Sequence, residues 1–142
     1  MGGADGHGLF TDLRGWEFAC YPSRRRKRLL PTIFSKIIDR EIPADIVYED
    51  DVCIAFKDVS PQAPVHILLI PKREIASLSD LKADDAGIMG HLMVKVPEIA
   101  SKAGVSEEGY RIVVNTGESA GQSVFHIHIH ILGGRKMEWP PG

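Results

Sequence analysis

The sequence predicts an α+β domain on an antiparallel sheet of about five strands, with one short and one long helix. Short β-rich runs follow one another in hairpin-like succession, only two stretches hold helical spacing, and no regular alternation of strand and helix appears. At 142 residues the chain has room for one such domain, and a core of that size needs no staple.

Residues 1–31 hold Gly2, Gly3, Gly6 and Gly8 and show no sustained period, so they read as a flexible N-terminal extension. The domain is expected over 32–142. The extension carries six basic and three acidic groups against eleven and sixteen in the remainder. Its excess lies in Arg24, Arg25, Arg26, Lys27 and Arg28, which reads as a solvated run, with a nuclear signal or part of an organelle address as the alternatives. Asp5, Asp12 and Glu17 break the acidic-poor pattern of a transit peptide, and no apolar segment suits a secretory signal.

Thr32 opens the short helix as its cap, with Ile33, Phe34, Ile37 and Ile38 at helical spacing and Pro43 beyond the end. Ile46 to Tyr48 and Val52 to Phe56 form a hairpin across Glu49, Asp50 and Asp51, and Val65 to Ile70 is a third strand closed by Pro71. Asp84 and Asp85 suit the start of the long helix, whose Ile88, Met89, Leu92, Met93 and Val96 share a face. Pro97 is expected to kink or break it, at a cost of ~3 kcal/mol, with helix resuming to about Ala103. Tyr110 to Val114 and Phe125 to Leu132 complete the sheet.

Composition bounds the function. With 44% hydrophobic and 25% charged residues and no long apolar run, the chain is an ordinary soluble protein with no membrane partner. A net charge of -2 argues against a nucleic-acid partner. Two cysteines, Cys20 and Cys53, build neither a disulfide framework nor a cysteine zinc site, which fits a reducing compartment such as the cytoplasm.

The chemistry concentrates in His126-Ile127-His128-Ile129-His130-Ile131-Leu132. On a strand the isoleucines point to one face and the imidazoles to the other. The isoleucines are core. Three adjacent imidazoles exceed what packing asks for, since each must be hydrogen-bonded or solvated. Metal binding is one reading, but alternate residues lie ~7 Å apart along a strand, so all three could not readily share one ion. Two would need a further ligand from His66, Asp58 or Cys53. Nucleophilic catalysis is the other: one neutral imidazole attacks while neighbours fix its tautomer and donate to charge or leaving group. The preceding loop, with Gly117, Ser119, Gly121 and Ser123, suits a phosphate, although no GxxxxGK[ST] is present and a P-loop nucleotidase is excluded.

The motif at His126 to Leu132 resembles the signature of the histidine-triad (HIT) nucleotide hydrolases and transferases. Residues 32–142 resemble the Hint branch, the purine nucleoside phosphoramidases. The matching stretches are Thr32-Ile33-Phe34, Ala55-Phe56-Lys57-Asp58, Ser60-Pro61-Gln62-Ala63-Pro64, Val65-His66, Asn115, Gly121-Gln122-Ser123, Gly133-Gly134-Arg135 and Trp139-Pro140-Pro141-Gly142. The third histidine is retained, unlike the glutamine of galactose-1-phosphate uridylyltransferase relatives, and the Trp-Pro-Pro-Gly ending points away from dinucleoside-polyphosphate hydrolases.

The resemblance implies a HIT-like fold and hydrolysis of adenosine 5'-phosphoramidates, of the AMP-NH2 or AMP-lysine type, to AMP and amine. His128 would form a covalent nucleotidyl intermediate. His126 and His66 would orient groups or relay protons. His130, Asn115 and the backbone of Gly121, Gln122 and Ser123 would hold phosphate oxygens, with Ser123 also near the leaving group. Asp58 would receive the ribose hydroxyls, and Phe34, Ile37, Phe56 and Val59 would line a purine slot. Adenosine 5'-phosphosulfate is a second expected substrate. The family pattern further implies a homodimer through the long helix and a strand, with Trp139 reaching toward the partner's site. No cofactor or metal is required, although family members have been described as zinc-binding. The alternative function is a nucleotide- or zinc-binding interaction protein with little catalytic role.

Overall fold

The structure is a computed structural model that describes residues 9–11, 17–19 and 30–142, the first two stretches as backbone alone. Strands β1 (Leu9–Thr11) and β2 (Glu17–Ala19) pair antiparallel as a two-stranded sheet of their own. Local pattern did not announce this pair inside the expected extension. The Arg24 to Arg28 run and Cys20 lie outside the described residues.

Helix α1 (Ile33–Ile38) starts as its sequence requires. Thr32 Oγ1 accepts from Ser35 N–H at 3.1 Å and Ser35 Oγ accepts from Thr32 N–H at 2.8 Å, a reciprocal cap that satisfies two otherwise orphaned donors. The main sheet follows as β3 (Ile46–Glu49), β4 (Cys53–Lys57), β5 (Val65–Pro71), β6 (Tyr110–Val113) and β7 (Ile129–Gly133). Its order is β3-β4-β5-β7-β6, and every pair is antiparallel. The chain leaves β5, runs through α2 (Ala86–Lys102), forms edge strand β6 and returns to insert β7 beside β5.

Both faces of the sheet are covered, so β4 and β5 read as continuous apolar runs. Cys53, Ala55, Ile67, Leu69, Ile129 and Ile131 pack beneath Leu92, Val96 and Ile99 of α2. Ile54, Phe56, Leu68 and Ile70 pack against Phe34 and Ile37 of α1. Side-chain parity therefore decides where chemistry sits: His66, opposite Leu132, and His130, opposite Leu68, both face the α1 side.

Three expectations need correction. Helix α2 runs unbroken through Pro97, whose missing N–H would have served the carbonyl of half-exposed Met93, where water can substitute. Met93, placed by spacing on the packed face, is 49% exposed, while the buried stripe is Leu92, Val96, Ile99 and Ala100. The histidine strand also begins late. Pairing starts at Ile129, so His126 and His128 precede β7. Register would bring Ile127 opposite Pro71, which has no N–H to give. Ile127 N–H instead donates to Ile75 O at 2.7 Å. At the other end of β7, a Cβ on Gly133 would lie 2.7 Å from Val105, so only glycine fits without displacing that side chain.

Candidate active site

Two short-range hydrogen bonds set the tautomers of the histidine row. His128 Nδ1 lies 2.8 Å from the carbonyl oxygen of His126, and a carbonyl can only accept, so the proton of the neutral ring sits on Nδ1. The lone pair is left on Nε2. On the other side, Gln62 N–H donates to His66 Nδ1 at 3.0 Å, which places the His66 proton on Nε2. That nitrogen is 2.9 Å from His130 Nδ1, so His66 donates and His130 accepts. His130 is thereby left with an Nε2–H donor. The turn before β5 thus dictates, through His66, that His130 offers a proton, while the His126 carbonyl dictates that His128 offers a lone pair.

A cavity of about 310 Å³ is bounded by both rings. That volume is at the small end of ligand sites. Phe34 and Ile37 of α1, Phe56 of β4, Asp58, Val59, Ser123, His128 and His130 all line it. Phe34 stacks edge-on against Phe56 and His128, with centroids 5.6 and 5.0 Å apart. Val59 forms a rim, being 98% exposed. Asp58 is positioned by Ser60 N–H, which donates to Oδ1 at 2.8 Å, while Oδ2 lies 3.4 Å from His66 Nε2.

The remaining expected residues stand behind or apart from this cavity. His126 is buried and its Nε2–H donates to Pro71 O at 2.7 Å, so its carbonyl orients His128 while its ring anchors the chain. His66 is buried behind His130. Gln122 is buried too, and its side chain is fully engaged: Oε1 accepts from Gly117 N–H at 2.9 Å, and Nε2 donates to Ala76 O and Val124 O at 2.7 and 3.1 Å. The N–H groups of Gly121 and Gln122 are spent inside the loop on Glu118 O and Gly117 O. Gly121 takes φ +94°, the left-handed turn that closes this loop and that favours glycine. Asn115 borders it, with Nδ2 3.7 Å from where a Gly121 Cβ would stand. Trp139 is 83% exposed and does not line the cavity; Arg111 holds the neighbouring Glu138 carbonyl at 2.9 Å.

The protein is similar in sequence and fold to known proteins. Residues 39–137 match the HIT domain family. The chain belongs to the HIT family. It is 61% identical over 111 residues to an uncharacterized HIT-like protein of Synechococcus elongatus, covering 78% of this chain and 96% of that one. Among solved structures, the HIT family hydrolase from Legionella pneumophila is 46% identical with a TM-score of 0.77, covering 79% of this chain and all of that one. The HIT family hydrolase from Clostridium thermocellum is 44% identical with a TM-score of 0.76, covering 78% and 96%. The five-stranded sheet with one long and one short helix is thus that of HIT family hydrolases.

The HIT-fold site keeps its imidazoles neutral. Burial pushes His128 below the ordinary imidazole value and outweighs its bond to the His126 carbonyl. Burial likewise lowers His126 against the pull of the Pro71 carbonyl, and lowers His66 against the charge of Asp58. His130 falls furthest, to about 4, from burial and then from the neighbouring His128 and His66. Free lone pairs at neutral pH follow directly.

Ile33, Ile42, Pro43, Ala44, Lys57, Leu68 and Val124 also line the cavity and were not among the residues expected from sequence to do so. Ile42 to Ala44 had a faint signal, apolar residues in a turn where polar ones are usual. Among the described residues two groups have metal-ligand spacing: Asp58, His66 and His130, and, separately, Asp50, Cys53 and His91. In each, two of the ligating atoms share a proton: His66 Nε2 with His130 Nδ1, and His91 Nε2 with Asp50 Oδ2.

Proposed function

We propose that this HIT protein hydrolyses adenosine 5'-phosphoramidates to AMP and amine, as a purine nucleoside phosphoramidase of the Hint type. The observation that carries the reading is the tautomer of His128: its Nδ1–H is held by the His126 carbonyl, leaving Nε2 as a lone pair beside an apolar slot and a carboxylate.

The purine occupies the slot between Phe34, Ile37 and Phe56, and Asp58 accepts the ribose hydroxyls. His128 Nε2 attacks the α-phosphorus, forming an N–P bond as the bond to the leaving nitrogen breaks. The ring becomes a cation, stabilised by the carbonyl already bonded to Nδ1–H. His130 Nε2–H donates to a non-bridging oxygen, supported through His66 and Gln62. Ser123, at the mouth, stands near the leaving amine, which takes its proton from solvent at that opening. Water then attacks phosphorus, releasing AMP, a proton and neutral His128. Sulfate can leave in place of amine, so adenosine 5'-phosphosulfate is a second substrate. No cofactor enters any step. A homodimer is part of the reading, supported by exposed Met93 and Val94 on α2 and by the exposed Trp139 tail.

Turnover of a fluorogenic AMP-amine by the full chain, with and without chelator, tests this reading. Turnover unaffected by chelator supports it. Nucleotide binding without turnover would instead support an interaction protein that uses the same cavity for ligand sensing.

A further inference from the structure

On the opposite face of the sheet from the imidazoles of the site, three side chains of different chemistry converge. Asp50 sits in the turn after β3, Cys53 opens β4, and His91 projects from the second turn of α2. Their ligating atoms all lie within 4.8 Å of one another. We propose that Asp50, Cys53 and His91 form a binding site for a thiophilic divalent cation of the zinc or cobalt type, separate from the catalytic cavity.

The turn is built to hold the carboxylate still. Asp50 Oδ1 accepts from the N–H groups of Val52 and Cys53, both at 2.8 Å, so Oδ2 is fixed toward the helix. There it meets His91 Nε2 at 2.6 Å and Tyr48 Oη at 2.7 Å. Cys53 is fully buried, the catalytic scheme makes no use of it, and a buried thiol is no better for packing than a small apolar residue. Bonds of about 2.0–2.3 Å to oxygen, nitrogen and sulfur put tetrahedral ligands roughly 3.3–3.6 Å apart, a spacing the cluster reaches by small side-chain movements. Thiolate with imidazole and one carboxylate is the donor set of zinc and cobalt, not of magnesium or calcium. His91 and Asp50 keep partial exposure, 32% and 24% of their side chains, which opens the fourth position to water.

Charge balance favours the same conclusion. On binding, the thiol proton leaves to solvent and the His91 proton moves to Nδ1. Thiolate and carboxylate together then neutralise the dication. Lys95, whose Nζ lies 5.3 Å from the centre of the Tyr48 ring beside this group, is paired with Glu98 at 2.9 Å.

Cobalt(II) added to the chelator-treated full-length protein reads the site directly, because only a thiolate ligand gives a near-ultraviolet sulfur-to-cobalt charge-transfer band. The expected result is one cobalt per chain with that band, displaced by zinc, with one proton released. Cys53→Ser abolishes the band. The half-exposed variant His91→Gln, which keeps the core intact, weakens binding at least tenfold. Cys20→Ser and His130→Ala leave the band in place, and His91→Gln leaves AMP-amine turnover unchanged, so the site stands or falls independently of the catalytic assignment. Absence of the band at millimolar cobalt, its survival in Cys53→Ser, or equal affinity in His91→Gln overturns the proposal.

Discussion

His66 and His130, sixty-four residues apart in sequence, meet across β5 and β7 with Nε2 and Nδ1 2.9 Å apart. Because Gln62 N–H already occupies the far side of His66, the proton between the two rings belongs to His66. The bond therefore leaves His130, which lines the cavity, with its proton on Nε2.

Removing that bond tests its role. His66→Ala is expected to lower AMP-amine turnover by about ten- to a hundredfold, the range over which a misoriented acid–base partner acts. His66→Asn, which retains an amide donor toward His130, should recover part of the loss. Steady-state kinetics on both variants checks this, and identical losses would contradict the tautomer argument.

The lowered imidazole values give a pH dependence of defined sign. Protonation of His128 removes the lone pair, so activity should hold at neutral pH and fall as pH drops below the ordinary value of 6.5 through the depressed value. Stability follows the same direction. A group depressed in the folded state binds fewer protons there, so its contribution is complete above about 6.5 and is lost as pH falls toward about 4 for His130. Thermal melting between pH 7 and 4 should show a falling Tm, with a shallower slope in His130→Asn.

The α1 cap supports one wall of the cavity. Thr32→Ala breaks the reciprocal bonds with Ser35 and should cost about 1 kcal/mol, roughly 3–6 °C in Tm for a domain of this size. Phe34 and Ile37 ride on that helix, so KM for the AMP-amine should rise while the chemical step is less affected.

Gln122 holds the loop from Gly117 to Val124 from inside. Gln122→Ala leaves Gly117 N–H, Ala76 O and Val124 O without their partner and should destabilise the protein by about 1–3 kcal/mol. The isosteric Gln122→Glu cannot donate to the two carbonyls and should fare no better. Denaturant unfolding measures both.

Much of this was legible from sequence because local chemistry fixed it. Thr32 announces a cap, β-branched runs announce strands, and Ile129 and Ile131 lie in the core as alternation requires. What was not legible depends on register. That Pro71 would halt pairing, leaving His126 and His128 ahead of β7, follows only from β5 lying beside β7. The support that Gln122 gives its loop was not legible either, because nothing local reveals that its amide reaches Ala76, forty-six positions away. Ile42 to Ala44 line the cavity because the turn after α1 folds back on the sheet, a tertiary outcome. Unbroken helix at Pro97 shows tertiary packing overriding a local penalty.

The central claim is that His128 is the nucleophile. The direct measurement is a rapid quench of the enzyme with AMP-amine into alkaline denaturant, which preserves a phosphorus–imidazole bond, followed by peptide mass analysis. The account predicts one adenylyl group on the peptide at His128, with no adduct and a rate lowered about a thousandfold or more in His128→Ala. An adduct on His130 or Ser123, or undiminished turnover by His128→Ala, would contradict it.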